Sequence, residues 1–267
     1  MHFTTDFLRT TWAEITHEYH PTTIEFLGTL CVQVTAFWIP SSIFTVLDLL
    51  SPPQLTSYKI QQLHKQPPPN AIRKAFFNSL QTQTLSTIVH IAQLSLLLMF
   101  TPHTSVYKIT PALPSPSEIL LHVALCVLLR EIIFYYGHRA LHHPLLYRYI
   151  HKTHHEFTTP IALAAQYCHP IEHVICNIAP LSLPARVIGV HIVTFWLFIA
   201  GSLIQAVIAH CGYRAPALFG WKPEVHDLHH ELFTVNYGII GLWDRIHGTR
   251  ATERRRTMNR KQKESSE

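Results

Sequence analysis

The sequence predicts an all-α fold: an integral membrane helical bundle carrying a histidine-rich helical cap. Three observations predict it. Of 267 residues, 48% are hydrophobic and only 14% charged, against about a quarter charged in a soluble domain. The apolar residues gather into runs long enough to cross a bilayer, with most charges between them. The 21 histidines are concentrated in a few short stretches, the densest being "HRALHHPLLYRYIHKTHHEF" at 138–157.

The first apolar run, Ile24 to Leu50, exceeds the roughly 20 residues a spanning helix needs, and Pro40 within it predicts a kink. Thr84 to Phe100 and Ile119 to Tyr136 are both near spanning length. Val174 to Pro184 is weaker and broken by proline, whereas Val187 to Ala209 is a strong span. Segment 51–83 carries Lys59, Lys65, Arg73 and Lys74 and no acid. The first 22 residues carry Arg9 against Asp6, Glu14 and Glu18, and 101–116 carries only Lys108. Lysine and arginine mark cytosolic loops, so 51–83 is expected in the cytosol and the N-terminus and 101–116 on the far side. The chain re-emerges in the cytosol near residue 137, where the histidines begin, and 172–210 dips in and returns. Ile119 to Tyr136 covers roughly 27 Å of helix, close to the ~30 Å hydrocarbon core. His138 is therefore expected just past the membrane face, and His210, ending the last span, at the same level.

Outside these runs the residues exclude more than they assert. Cys31, Cys126, Cys168, Cys176 and Cys211 are scattered, with no CxxC pair, so no disulfide framework is expected. The formal charge of +5 owes much to the basic tail 251–267. It has no basic fold with interleaved aromatics beside it, which argues against nucleic-acid binding; the tail is expected to contact anionic head groups or be simply solvated.

The chemistry lies in three clusters: His138-x-x-x-His142-His143, His151-x-x-His154-His155 and His226-x-x-His229-His230. Residues at i, i+3 and i+4 share one helix face, so each of the last two sets is expected to converge on one point. His142 lies one turn above His138. His143 is about 100° further round, and Pro144 should end the helix there, although a break induced by Pro144 would leave His143 as the alternative. Imidazole suits iron, zinc, copper and nickel, and the clusters hold more imidazoles than one ion needs. Structural zinc would use four ligands and more often cysteine. A soluble carboxylate-bridged di-iron bundle would need Glu-x-x-His on two helices, which the chain lacks. A histidine-rich di-iron centre at a membrane surface remains. Its ligand rings need their second nitrogen held, for which Glu131, two turns before His138, Asp227 and Asp244 are candidates.

The stretches "YYGHRALHHPLLYRYIHKTHHEFTTPIALAAQYCHPIE", "HCGY" and "HDLHHELFTVNYGIIGLWDRIHGT" resemble the fatty acid hydroxylase and sterol desaturase superfamily, most closely its C-4 methylsterol monooxygenases. The resemblance covers roughly residues 117–250. It implies an endoplasmic-reticulum membrane enzyme using two iron ions, O2 and electrons from NAD(P)H through cytochrome b5 or a reductase. The lipid substrate it implies is sterol- or terpenoid-like. Carried over by position, the ligands are His138, His142, His151, His154, His155, His226, His229 and His230, with His169 of "HPIE" and His210 of "HCGY" as further ligands. Cys211, His247 and an added His173 depart from the methylsterol pattern and bear on the substrate rather than the metal. On this reading, 1–116 are membrane helices and a cytosolic loop, 117–250 a histidine-box catalytic domain with a membrane hairpin, and 251–267 a basic tail. The same centre would also serve a fatty-acyl hydroxylase or desaturase. The rival from another class is a non-catalytic metal-binding membrane protein, such as a zinc scaffold or a transporter. A transporter would place its ligands near the bilayer midplane.

Overall fold

Among the described residues, four helices are long and apolar enough to cross a membrane, and they organise the fold. The computed structural model describes residues 2–101, 105–214 and 222–251; the tail beyond Ala251 lies outside them. Helix α1 (His2–Glu18) lies against the start of α2 (Pro21–Leu50), and its Trp12 Nε1 donates to Thr110 O at 2.8 Å. α2 begins on a proline, whose missing N–H costs nothing in a first turn. It runs through Pro40 without ending, and a wider π turn, Val34–Trp38, lies immediately upstream. A proline removes an internal hydrogen bond and crowds the preceding turn; a π turn is one of the distortions that accommodates this.

α3 (Pro69–Phe100) starts fifteen residues before the apolar run expected to span. Its added turns carry polar side chains that bond to the histidine cap: Ser79 Oγ donates to Leu163 O at 2.9 Å and Thr82 Oγ1 to Gln166 O at 3.0 Å. α4 (Pro116–Leu141) is capped by Ser115, which accepts from Glu118 N. The proline-broken run becomes α5 (170–188), in which a π turn at His173–Ile178 joins two helical pieces. It packs along α4 and is not among the four membrane-length helices, so four helices rather than five runs meet that criterion. α6 (Ile192–His210) packs on α2 and α4.

The C-termini of α2, α4 and α6 and the N-terminus of α3 all meet at the histidine end. Two short 3-10 helices, His151–Glu156 and Ala162–Gln166, and helices α7 (Pro223–Leu232) and α8 (Leu242–Ile246) close that end. Among the described residues there are no strands, only two isolated bridges, so the bundle is all-α. Phe37, Ala75, Ala164, Val207 and Cys211 pack beneath the cap, and Trp12, Cys126, Val190 and Phe195 pack at the far end. The spans turn large apolar side chains outward, among them Leu96, Met99, Leu120 and Leu121, as a lipid-facing surface requires. Lipid is as apolar as leucine, so contact between spans rests on close packing rather than on hydrophobic transfer. Gly28 illustrates it: a Cβ there would come within 2.0 Å of the Trp196 ring, so the glycine lets α2 and α6 approach, and Trp196 Nε1 then reaches Thr29 Oγ1 at 3.1 Å. The five cysteines are free thiols.

Candidate metal centre

α4 ends at Leu141 with His142 as its C-terminal cap, so the helix persists just far enough to stack His142 above His138. His143 faces solvent, and its Nδ1 accepts from Leu145 N at 3.4 Å, starting the turn that follows Pro144. His151, His154 and His155 lie on a 3-10 turn rather than an α-helix, and His226, His229 and His230 on α7. Their ring nitrogens gather into two adjacent groups. His138, His142, His151, His155 and His229 form one, and His154, His210, His226 and His230 the other, each with its ligand atoms all within 4.8 Å of one another.

The expectation of one convergence point per cluster is corrected here. The i,i+4 pairs stay together, His151 with His155 and His226 with His230, while the i+3 residue of each cluster crosses to the other group. The two groups lie side by side, so one helical face serves both. Rings of the i,i+4 pairs stand nearly perpendicular, at 81° and 78°. The i,i+3 rings lie nearly parallel, 5.5 Å apart. His169 joins neither group. Its ring Nδ1 accepts from Ile171 N at 3.2 Å, capping the first turn of α5, because Pro170 opens a helix there.

Within each group, facing Nε2 atoms are 2.9 to 3.5 Å apart. Hydrogen bonding does not account for all of these contacts. His154 Nδ1–H donates to Tyr167 O at 3.1 Å and His210 Nδ1–H to Ala206 O at 2.8 Å. In a neutral ring that leaves Nε2 a lone pair, and these two lone pairs face each other at 3.5 Å. His138 and His229 are held in the same way by Tyr237 O at 2.8 Å and Val235 O at 2.6 Å. Opposed lone pairs need a cation between them. Nitrogens each about 2.0–2.1 Å from a shared ion would be about 2.8–3.4 Å from one another, close to the spacing of the facing rings. The residues therefore fit metal ions.

Burial keeps the rings neutral. It pushes His142 down to about 2, with His138 and His154 adding to the effect, and His154 to about 4. His155, His226, His229 and His230 are likewise held well below the ordinary histidine value, first by burial and then by neighbouring imidazoles. A ligand histidine must be unprotonated to bind metal, and here the fold imposes that state.

Glu131 and Asp244 support the centre indirectly. Buried Glu131 accepts from Ile239 N at 2.8 Å, Ile240 N at 3.0 Å and Leu242 N at 3.2 Å. Asp244 accepts from Tyr237 N at 2.9 Å, Gly238 N at 2.7 Å and Thr249 Oγ1 at 2.6 Å. Together they hold the loop whose Tyr237 carbonyl fixes His138. Gly238 sits between them, where a Cβ would lie 2.7 Å from Glu131 Oε1 and 2.8 Å from Asp244 Oδ2. Asp227 instead ties α7 to the segment after α2, accepting from Gln61 Nε2 at 3.0 Å.

Sequence reasoning missed Glu172. Its Oε1 lies 2.8 Å from His151 Nδ1, close but outside hydrogen-bond alignment, and the side chain is buried. Its signal in the sequence is "HPIE", which places it three residues after His169. His173, the added histidine, contacts Ser86 Oγ at 2.7 Å and Asn177 Nδ2 at 3.1 Å and stands apart from both groups.

The groups open onto a cleft of about 120 Å³, lined by His138, His154, His210 and His226 together with Phe134, Leu181 and Leu203 and with the polar Arg130, Glu172 and Gln205. Ligand-capable nitrogens thus face a largely apolar cleft that also holds the Arg130–Gln205 pair. No solved structure matches the chain significantly. A human protein named fatty acid hydroxylase domain-containing protein 2 is 35% identical over 226 residues, 84% of this chain and 66% of that protein. A fatty acid hydroxylase of Mycosarcoma maydis is 35% identical over 88% of this chain and 60% of its own length; the chain thus spans less than two thirds of each of these two relatives. A Dictyostelium discoideum protein named as a methylsterol monooxygenase is 31% identical over 77% of each chain. Residues 123–249 match the fatty acid hydroxylase family, and with the histidine groups in view the conclusion is direct: this multi-pass membrane protein belongs to the fatty acid hydroxylase superfamily.

Proposed function

We propose that the chain is a membrane-bound non-haem di-iron oxygenase that oxidises an unactivated C–H bond of an elongated membrane lipid. The observation that carries this reading is the pair of adjacent groups of nitrogen donors, five and four histidines, opening onto a largely apolar cleft. An all-imidazole, thiolate-free donor set argues against structural zinc. Two iron ions bound there would supply reductive activation of O2. His138, His142, His151, His155 and His229 would hold one and His154, His210, His226 and His230 the other. The chain's part is to keep the imidazoles neutral and aimed, through the Tyr237, Tyr167, Val235 and Ala206 carbonyls, and to position the substrate carbon in the cleft. Electrons would come from NAD(P)H through cytochrome b5 or a reductase. The basic segment 51–83 supports an orientation with the histidines in the cytosol, in the endoplasmic reticulum membrane.

The motifs favour a sterol or other terpenoid, of which C-4 methylsterol is the first candidate. A second reading, a long acyl chain, is favoured by the two adjoining cavities described below. Metal analysis and product analysis by mass spectrometry test the proposal, with a reductase and a panel of methylsterols, terpenoids and fatty acids. The expected result is about two irons per chain and an oxygenated lipid. Zinc without iron, and no turnover, would favour the non-catalytic metal-binding protein.

A further inference from the structure

Adjoining the cleft is a second cavity of about 80 Å³. Ala165, Asn177, Leu181, Leu203 and Ala206 line both, so the two meet across one wall that includes two alanines. This cavity is lined by many polar side chains, most of them satisfied within the fold. Gln83 Nε2 donates to Gln33 Oε1 at 2.9 Å, His90 Nε2 pairs with Glu25 Oε1 at 3.1 Å, and Ser86 bonds His173. Arg186 is the exception. It donates to Gln93 Oε1 at 2.6 Å and hydrogen-bonds the Tyr107 phenol, whose ring centre lies 5.9 Å from the guanidinium. Its Nε is buried with no acceptor. Among the described residues no carboxylate lies within ion-pair distance of it. A charged side chain among membrane helices costs about 2.5–3.5 kcal/mol on insertion scales and by default marks a functional site. A guanidinium fork matches a carboxylate in shape and charge.

The distance sets the ligand's length. Glu172, beside His151, and Arg186 are fourteen residues apart on α5, roughly 20 Å along a helix. An extended carbon chain advances about 1.2 Å per bond, so about sixteen bonds span the interval. We propose that the second cavity is the substrate's head-group site. Arg186 receives the carboxylate of a long-chain acid, and the chain passes the shared wall into the histidine-lined cleft, so that oxidation falls at the end remote from the carboxylate. This rests on the oxygenase reading in its acyl form. One atom of O2 enters a C–H bond as an alcohol oxygen. The other leaves as water, taking two protons and two electrons from the NAD(P)H-fed carrier.

Binding tests the site independently of turnover. Hexadecanoate and hexadecanol are titrated against purified protein, metal-free and metal-loaded, as wild type, Arg186→Gln and Arg186→Lys. Arg186→Gln is expected to weaken hexadecanoate binding about tenfold or more, leaving hexadecanol unchanged. A charge-assisted hydrogen bond contributes about 1.5–3 kcal/mol and about 1.4 kcal/mol is tenfold. Arg186→Lys should recover part of the loss. Equal hexadecanoate affinity in wild type and Arg186→Gln overturns the proposal, as does a 3β-hydroxysterol whose binding depends on Arg186 when that of hexadecanoate does not. Should Arg186→Gln fail to fold, Ala165→Leu at the wall replaces it: hexadecanoate should weaken while octanoate does not, and equal weakening of both overturns the proposal. With active enzyme, hydroxylation beside the carboxylate also overturns it. Loss of the iron or oxygenase assignment alone leaves the binding result standing, which separates the two failures.

Discussion

Replacing Glu131 by glutamine keeps the side chain's shape and removes its charge. In the wild type, Oε2 accepts from Ile239 N and Ile240 N, and Oε1 from Leu242 N. An amide oxygen can take the first two as neutral bonds, but its NH2 then confronts Leu242 N–H, donor against donor. A hydrogen bond to a charged group contributes about 1.5–3 kcal/mol and a neutral one about 0.5–1.5. Two downgraded bonds and one lost bond therefore cost about 3–5 kcal/mol, a large fraction of the 5–15 kcal/mol typical of a fold. The loss is local to the loop whose Tyr237 carbonyl fixes His138, so metal retention should fall with it, on the scale of 10–100-fold in affinity seen when a ligand's supporting group is removed. The assay pairs thermal unfolding in detergent with metal content per chain. Glu131→Gln is expected to lower the midpoint by on the order of 10 °C, at about 2–4 °C per kcal/mol for a chain of this size, and to retain less metal. An unchanged midpoint with full metal content would refute the chain of support from Glu131 through Tyr237 to His138.

His142→Ala should lose metal and activity, whereas His143→Ala, which removes only an exposed cap, should keep both within experimental error; the reverse outcome would reassign the first-cluster ligand. Gly238→Ala should mimic Glu131→Gln, because its new Cβ would press on both carboxylates at under 3 Å, and wild-type stability would show that the loop yields freely. In metal-free protein, His142 and His154 are held at about 2 and about 4 against about 6.5 when unfolded. Their contribution is complete above pH 6.5 and is lost as pH falls below it, by about 1.4 kcal/mol per unit for each such histidine; a midpoint independent of pH between 7.5 and 5 would contradict this. Glycosylation acceptors placed in 144–150 should stay unmodified in microsomes while those in 101–116 become modified, and the opposite pattern would invert the proposed orientation.

Hydropathy and helix periodicity carried much of this protein on their own. The spans read directly from apolar run length, because the bilayer sets a minimum length that composition must meet. His138 and His210 fall at one level because rise per residue is constant. His142 was separable from His143 because adjacent helical residues diverge by about 100° and Pro144 ends the helix beyond them. Tertiary structure decided the rest. Periodicity says which face of its own helix a residue occupies, and nothing of what meets that face across space. So each cluster's division between two groups, with His229 joining His138 and His154 joining His210, was not legible. Nor was the start of α3 at Pro69, since its polar turns are paid for by carbonyls on the 3-10 segment Ala162–Gln166. The acceptors that fix the clustered rings, Tyr237 O, Tyr167 O, Val235 O and Ala206 O, are backbone atoms. Every residue carries such an atom, so only folding could choose these four.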